Sequence, residues 1–349
     1  METTAENTLF VETARSEPLG LALSTGLDEV EARMIHLAVG HRLDRLGSMV
    51  QEHLGAGGSR TRARLALAAA DALGLRRERV LSWAAACELV HNATLVHDDL
   101  QDGDRVRRGR PSLWARHGAA QAINAGDLLL MLPFRAVESV EVDDAIRFRL
   151  MRAVAKACEE TVRGQSSEMT LLGGRKLDWS SWEAVAAGKS GALLALPIEG
   201  AALIARLSPT SAAALAAPFA TIGVLYQVYD DVLDLWGDKG RDRRGNDVRE
   251  GKPSAVVAAH LELHPVDEQA LVAVLEKPRE ETTDDDVAHW VRRFQEGGAL
   301  GRLRQKIEAL ETRILRDPSL SAVPDLAGIA RDLVSQLRST APTALGVRS

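Results

Sequence analysis

Aromatic residues are scarce in this chain: two Tyr and five Phe stand among 349 residues, with 4% aromatic in all. No run alternates Val, Ile or Thr with polar residues long enough to read as a strand, which argues against a sheet protein. A basic excess is also lacking. The formal net charge is −6, so nucleic acid is not expected as the main partner. Only two cysteines occur, Cys87 and Cys158, in Ala-rich stretches without framework spacing. That excludes a disulfide scaffold and fits core thiols in a reducing compartment. Residues 1–17, METTAENTLFVETARSE, are polar and acidic, so no secretory signal is visible and a cytoplasmic location is expected. One uncharged stretch, residues 207–229, is long enough to span a bilayer. Ser208, Pro209, Thr210, Ser211, Pro218, Thr221 and Gln227 interrupt it, and it runs straight into acidic residues. A buried central helix is the better reading, and no transmembrane segment is expected.

What is present is helix-forming. Apolar residues make up 46% and charged residues 26%, enough for a globular protein with a large core. Ala, Leu, Arg and Glu abound. The pattern predicts helices over 28–54, 61–74, 79–102, 117–138, 142–170, 181–204 and 211–236, then 254–263, 266–275, 283–296, 298–315 and 325–339. Gly-rich or polar punctuation separates them, as in GAGG at 55–58 and GRDRRGNDVREGKPS at 240–254. No repeat or composition shift marks a second domain. The expected organisation is a loose segment over 1–27, one all-α domain over 28–339 and a loose tail over 340–349.

Two short acidic runs carry the chemistry. Asp98-Asp99-Leu100-Gln101-Asp102 and Asp230-Asp231-Val232-Leu233-Asp234 both read D-D-x-x-D, each at the end of an apolar helical stretch. On a helix, residues i and i+4 share a face and i+1 lies about a third of a turn away. Each run therefore gathers carboxylates that repel one another unless a cation neutralises them. Hard oxygen ligands suit Mg²⁺, which bridges carboxylates to substrate phosphates. One such run is an ordinary solvated helix end; two that each follow an apolar helix are harder to dismiss. Basic residues stand near them: Arg105, Arg107, Arg108 and Arg110 after the first run, Arg60, Arg62 and Arg64 after the GAGG turn, with Lys189 and Lys252 further on. Singly these are surface charges. Jointly they point to a polyanionic ligand, a diphosphate bound through Mg²⁺.

The string ELVHNATLVHDDLQDGDRVRRGRPSLW resembles the first aspartate-rich region of trans-isoprenyl diphosphate synthases (polyprenyl synthetases), and LYQVYDDVLDLWGD resembles the second. Further matches are GGSRTR at 57–62, NAGDLLL at 124–130, GQSSE at 164–168, KSGALL at 189–194 and GNDVREGKPS at 245–254. They follow the family's order and cover roughly residues 30–340. The resemblance implies a single helical bundle around a central cavity, a homodimer packed through central helices, and three Mg²⁺ ions. It implies that an allylic diphosphate ionises and that isopentenyl diphosphate attacks the cation. Loss of a proton then leaves a chain longer by five carbons. By position, Asp98, Asp102 and Asp230 would ligate metal directly, while Asp99, Asp231 and Asp234 would ligate or orient metal-bound water. Arg107, Lys189, Gln227 and Lys252 would contact the allylic diphosphate, with Ser190 a minor contact. Arg60, His91 and Arg108 would hold isopentenyl diphosphate. His97 is left without a role.

Three departures stand out. Ser59 replaces the lysine of the family's Gly-Gly-Lys-Arg motif, the loss of a charge-assisted contact worth roughly 1.5–3 kcal/mol; Arg62 or Arg64 is a partial substitute. Arg243 or Arg244 replaces a lysine before the Gly-x-Asp, and Glu168 stands where the family often has Asp. Ser59 keeps a terpene cyclase-like or unusual-acceptor enzyme of the same fold in view, although Asp234, Leu235 and Asp238 follow the synthase pattern. A non-catalytic subunit of a heteromeric synthase fits poorly with six retained aspartates. The positions expected to line a product tunnel are Ala93, Thr94, Val90, Cys87 and Ala86, with Trp83 as floor. Their small size suggests a geranylgeranyl (C20) or farnesyl product.

Overall fold

The computed structural model describes residues 26–40, 44–171, 177–237 and 245–346. Arg243, Arg244, Asp238 and nearly all of the expected N-terminal segment lie outside that set. The chain folds as helices: α1 (Leu27–Val39), α2 (Arg45–Leu54), α3 (Thr61–Ala72), α4 (Leu81–Gln101), α5 (Leu113–His117), α6 (Ala119–Glu138), α7 (Asp144–Thr170), α8 (Trp179–Ala186), α9 (Ala192–Ile204) and α10 (Pro209–Trp236). They continue as α11 (Asn246–Arg249), α12 (Ala255–Leu263), α13 (Glu268–Leu275), α14 (Asp284–Glu296), α15 (Ala299–Leu315) and α16 (Pro324–Ser339). Among the described residues the only sheet is a two-stranded hairpin, β1 (Val106–Arg107) with β2 (Arg110–Pro111).

Two helices sit at the centre, and each ends in one aspartate-rich run. Helix α4 packs against α3, α6 and α9, and α10 packs against α9, α12, α15 and α16. Both are buried around much of their circumference, as expected of helices that are apolar on every side. The uncharged stretch at 207–229 is thus the core of α10. That helix, and the continuous run Trp179–Ile204, are long and apolar enough to cross a membrane, yet they are 56% and 67% buried inside the fold.

Boundaries differ from expectation where backbone chemistry intervenes. The helix predicted over 28–54 is two helices. Gly40, in the left-handed region with φ 59, ends α1, and the Asp44 carboxylate accepts the Gly47 amide at 2.7 Å to start α2. The tail expected to be loose carries a short turn at Thr343–Leu345, and the Leu345 side chain is buried in the core. The hairpin was not visible in the pattern. Its turn residues Arg108 and Gly109 both have positive φ (50 and 72), the geometry that matches strand twist in a two-residue hairpin.

A π turn, Ala187–Gly191, interrupts what the sequence suggests is one helix over 181–204. It is wedged between α7 and α10 where glycines replace side chains. A Cβ on Gly164 would lie 2.6 Å from the Lys189 amide nitrogen, and one on Gly223 would lie 2.6 Å from Gly191 Cα. Single π turns cluster at functional sites; this one carries Lys189 and Ser190.

Candidate active site

A cavity of about 770 Å³ opens between the ends of α4 and α10. Asp98 and Asp102 line it from α4, and Asp230 and Asp231 from α10. Arg107, Arg108, Lys189, Lys252, His91, Ser190 and Gln227 also line it. Apolar walls continue inward from Leu95, Leu130, Trp182, Leu193 and Leu194. The structure thus brings together most of the site residues expected from sequence.

Three expected residues are not on the cavity wall. Asp99 is 2% exposed and its Oδ1 accepts from Arg107 Nε at 2.5 Å. It points away because i+1 lies off the face shared by Asp98 and Asp102. Asp234 is buried, with Oδ2 accepting the Asp247 amide at 3.0 Å, so it fastens the start of α11 to α10. Arg60 is the third. It caps α3 in a left-handed conformation with φ 51, which turns its side chain inward. There Nε donates to Glu31 Oε1 and Nη2 donates to the Leu54 carbonyl, both at 2.6 Å.

Arg62 takes the place expected for Arg60. It lines the cavity, and its Nε is buried without a partner among the described residues. Arg64 does not line the cavity, and its Nε donates to the Ser59 carbonyl at 2.8 Å. Ser59 itself lines the cavity and shares a 2.8 Å hydrogen bond with Thr61. No local pattern separates the two arginines, which stand two residues apart in one basic stretch; the backbone conformation at Arg60 sorts them.

The remaining polar groups form chains that aim side chains at the cavity. Ser190 Oγ donates to Gln227 Oε1 at 3.1 Å, and Gln227 Nε2 donates to Asp231 Oδ1 at 2.8 Å. Asp231 Oδ2 accepts the Ala255 amide at 2.7 Å. Lys189 Nζ donates to Glu168 at 2.6 Å, and Lys252 Nζ donates to Asp102 at 2.8 Å. Burial alone would lower the pKa of both lysines. Glu168 and Asp98 outweigh it at Lys189, and Asp102 and Glu250 outweigh it at Lys252, so both ammonium groups are held above their usual value. Burial pushes the Asp98 carboxyl up, against the pull of Lys189, and pushes Asp99 up to about 6 against Arg107.

The opposite end is basic. Arg108 donates to the Gly57 carbonyl, and His91 Nδ1 is buried without a partner among the described residues. Burial, then Arg62 and Arg108, push the His91 imidazole well below its usual range. The site is therefore polar at both ends: carboxylates with lysines at one, arginines and a neutral histidine at the other. Among the described residues no three His, Cys, Asp or Glu side chains converge as a closed metal cage. Asp98, Asp102 and Asp230 fit Mg²⁺ in another way, since that ion takes one or two carboxylates and completes its shell with phosphate oxygens and water.

Comparison with known proteins agrees with this geometry. Residues 44–293 match the polyprenyl synthetase family. A geranylgeranyl diphosphate synthase of Mycobacterium tuberculosis is 30% identical over 312 residues, covering 85% of this chain and 89% of that protein. One from Methanosarcina mazei is 34% identical over 247 residues, covering 68% of this chain and 76% of that protein. The solved decaprenyl diphosphate synthase of Rhodobacter capsulatus superposes with a TM-score of 0.79 at 26% identity, covering 95% of this chain and 99% of that one. With two aspartate-rich helices facing one cavity and a basic end opposite them, the chain belongs to the polyprenyl synthetase family and is a prenyltransferase.

Proposed function

We propose that the protein joins isopentenyl diphosphate to an allylic diphosphate in a Mg²⁺-dependent reaction. The observation that carries this is the shared cavity: both aspartate-rich runs and the basic residues meet at its polar ends, and apolar walls lead inward. Asp98, Asp102 and Asp230 would hold the metal. When bound, Mg²⁺ supplies charge stabilisation for the departing diphosphate. Lys189, Lys252 and Arg107 bind the same diphosphate, and their fixed positive charge favours its leaving with the C–O electron pair. Gln227 and Ser190 keep Asp231 and the π turn in place. Arg62, His91 and Arg108 hold the diphosphate of the second substrate, whose double bond supplies the electron pair for the new C–C bond. Loss of a proton from the adjacent carbon restores a double bond.

The product is a longer trans-prenyl diphosphate, geranylgeranyl or farnesyl, in line with relatives that carry those names. The cyclase-like alternative rested on Ser59, and the presence of Arg62 on the cavity wall weakens it. The homodimer is supported by apolar side chains left exposed on α6 (Ile123, Met131) and α7 (Phe148), away from the cavity lining; light scattering of the purified protein tests it.

The deciding assay supplies Mg²⁺, isopentenyl diphosphate and, in turn, dimethylallyl, geranyl, farnesyl and geranylgeranyl diphosphate, with products sized by mass spectrometry. Elongated diphosphates are the expected result. Consumption of an allylic diphosphate alone, with hydrocarbon or alcohol formed, would overturn the reading in favour of the cyclase.

A further inference from the structure

Arg62 reaches the cavity from the first turn of α3, and nothing local caps that turn. A helix begins with four N–H groups that lack intrahelical partners, and a Ser, Thr, Asp or Asn side chain at the N-cap commonly satisfies one of them. Here the N-cap is Arg60, whose side chain makes no capping bond. The amides of Arg62 and Ala63 donate instead to Glu88 Oε1, at 2.8 and 3.0 Å. Glu88 belongs to α4, is 2% exposed and does not line the cavity. Among the described residues no lysine or arginine lies within 4.0 Å of its carboxylate, although its charge favours the Arg62 and Arg108 guanidiniums. It stands three residues before His91 on the same helix, so one carboxylate ties the start of α3 to the turn of α4 that presents the histidine. A carboxylate at a helix start is also favoured by the helix dipole.

We propose that Glu88 is the positioning residue for the basic end of the cavity. By accepting both amides it fixes the first turn of α3 on α4 and aims Arg62 beside His91. Arg62 and His91 are thereby set by Glu88, while Arg108, in the hairpin that Asp99 anchors through Arg107, is held by the Gly57 carbonyl. The assignment of the basic end to isopentenyl diphosphate rests on the function proposed above; the aiming of Arg62 does not.

The test uses the full-length protein and inorganic pyrophosphate, titrated calorimetrically in EDTA so that the carboxylate end has no metal through which to take the anion. Glu88→Ala is expected to weaken pyrophosphate binding about tenfold or more, as Arg62→Ala does. Glu88→Gln, which keeps an acceptor oxygen, stays within about threefold of the native chain. In the Glu88→Ala/Arg62→Ala double variant the two losses do not add, because Glu88 acts through Arg62. Should Glu88→Ala fail to fold, Glu88→Asp carries the test, with a smaller loss that likewise vanishes in the Arg62→Ala background. Under turnover, the same variants raise KM for isopentenyl diphosphate and leave KM for the allylic substrate within about twofold. Full additivity with Arg62→Ala, or equal rises in both KM values, overturns the proposal. If the native chain consumes no isopentenyl diphosphate, the proposed function fails, while the pyrophosphate titration still decides the role of Glu88.

Discussion

Lys252 Nζ lies 2.8 Å from Asp102 Oδ2, joining the aspartate run of α4 to the loop after α11 across 150 residues of sequence. Glu250, also 2.8 Å from the ammonium, holds it from the other side. The lysine is therefore fixed at the mouth of the cavity before any ligand arrives. It sits between a carboxylate assigned to metal and the space assigned to a diphosphate.

Replacing Lys252 by Met removes that charge and leaves Asp102 and Glu250 to repel each other. Loss of one charge-assisted contact to the allylic diphosphate costs about 1.5–3 kcal/mol, or roughly one to two decades in kcat/KM. The KM for isopentenyl diphosphate is expected to stay near native, because that substrate is assigned to the basic end. Steady-state kinetics with each substrate varied in turn checks the asymmetry.

Ser59→Lys is expected to work in the other direction. Ser59 already lines the cavity beside Thr61 and Arg62, so a lysine there adds a cation to the second-diphosphate end. The gain in affinity for isopentenyl diphosphate is about 1.5–3 kcal/mol, less the repulsion from Arg62 and Arg108. A lower KM for that substrate, with the allylic KM unmoved, is the expected readout. An unchanged KM would show that Ser59 does not face the ligand.

The aspartate runs and the helices that carry them were legible in the sequence because both follow from spacing. Apolar periodicity marks α4 and α10, and i, i+4 geometry puts Asp98 and Asp102 on one face. What was not legible depends on backbone conformation. Arg60 and Arg62 are two residues apart in a basic stretch, and the left-handed φ of 51 at Arg60 decides which one lines the cavity. Asp234 shares a helical face with Asp230, but an amide 13 residues downstream engages it, which no local pattern reveals. The role of Glu168 as the partner of Lys189 depends on a contact across 21 residues and two elements.

Gly164→Ala tests whether the π turn must sit where it does. The added Cβ would meet the Lys189 amide nitrogen at 2.6 Å, which is backbone and cannot rotate aside. Overpacking of this kind costs about 1–3 kcal/mol. Because the atom displaced belongs to Lys189, the fall in kcat is expected to exceed what the drop in stability explains. Circular dichroism melts and single-turnover rates on the same preparation separate the two. A lowered melting temperature with native kcat would show that the turn tolerates displacement.

Burial first, then Arg108, Arg107 and Arg60, push the His53 imidazole from 6.5 down to about 4. Between those values the unfolded chain binds a proton that the folded chain does not. The contribution of His53 to stability is therefore full above the unfolded value and falls as the pH drops toward 4. Asp99, pushed up to about 6, works in the opposite sense, so the share of His53 is read as a difference. Relative to His53→Gln, the native chain is expected to lose up to about 3 kcal/mol between neutral pH and pH ~4. Urea unfolding of both chains across that range checks the sign. A constant difference would mean that His53 titrates normally in the folded protein.

The inner half of α4, expected to line a product tunnel, is packed into the core. Of the α4 positions expected to form a tunnel, only Thr94 lines the cavity. Ala93, Val90, Cys87, Ala86 and Trp83 are all 0% exposed within the core. Trp83, expected as the floor, donates from Nε1 to the Pro197 carbonyl at 3.1 Å and packs over Gly200 of α9. The small residues of α4 are thus helix-packing residues, and the cavity is bounded by Thr94 and Leu95 with Leu130, Leu193 and Leu194 from α6 and α9. Thr94→Phe is expected to shorten the product by at least one five-carbon unit, and Leu130→Ala to lengthen it, since the space of a few methylenes decides what fits. Ala86→Phe is expected to leave product length unchanged while destabilising the fold by about 1–3 kcal/mol through overpacking. Mass spectrometry of the products, paired with thermal melts, distinguishes these outcomes. A shortened product from a well-folded Ala86→Phe chain would show that the tail runs along the inner half of α4 after all.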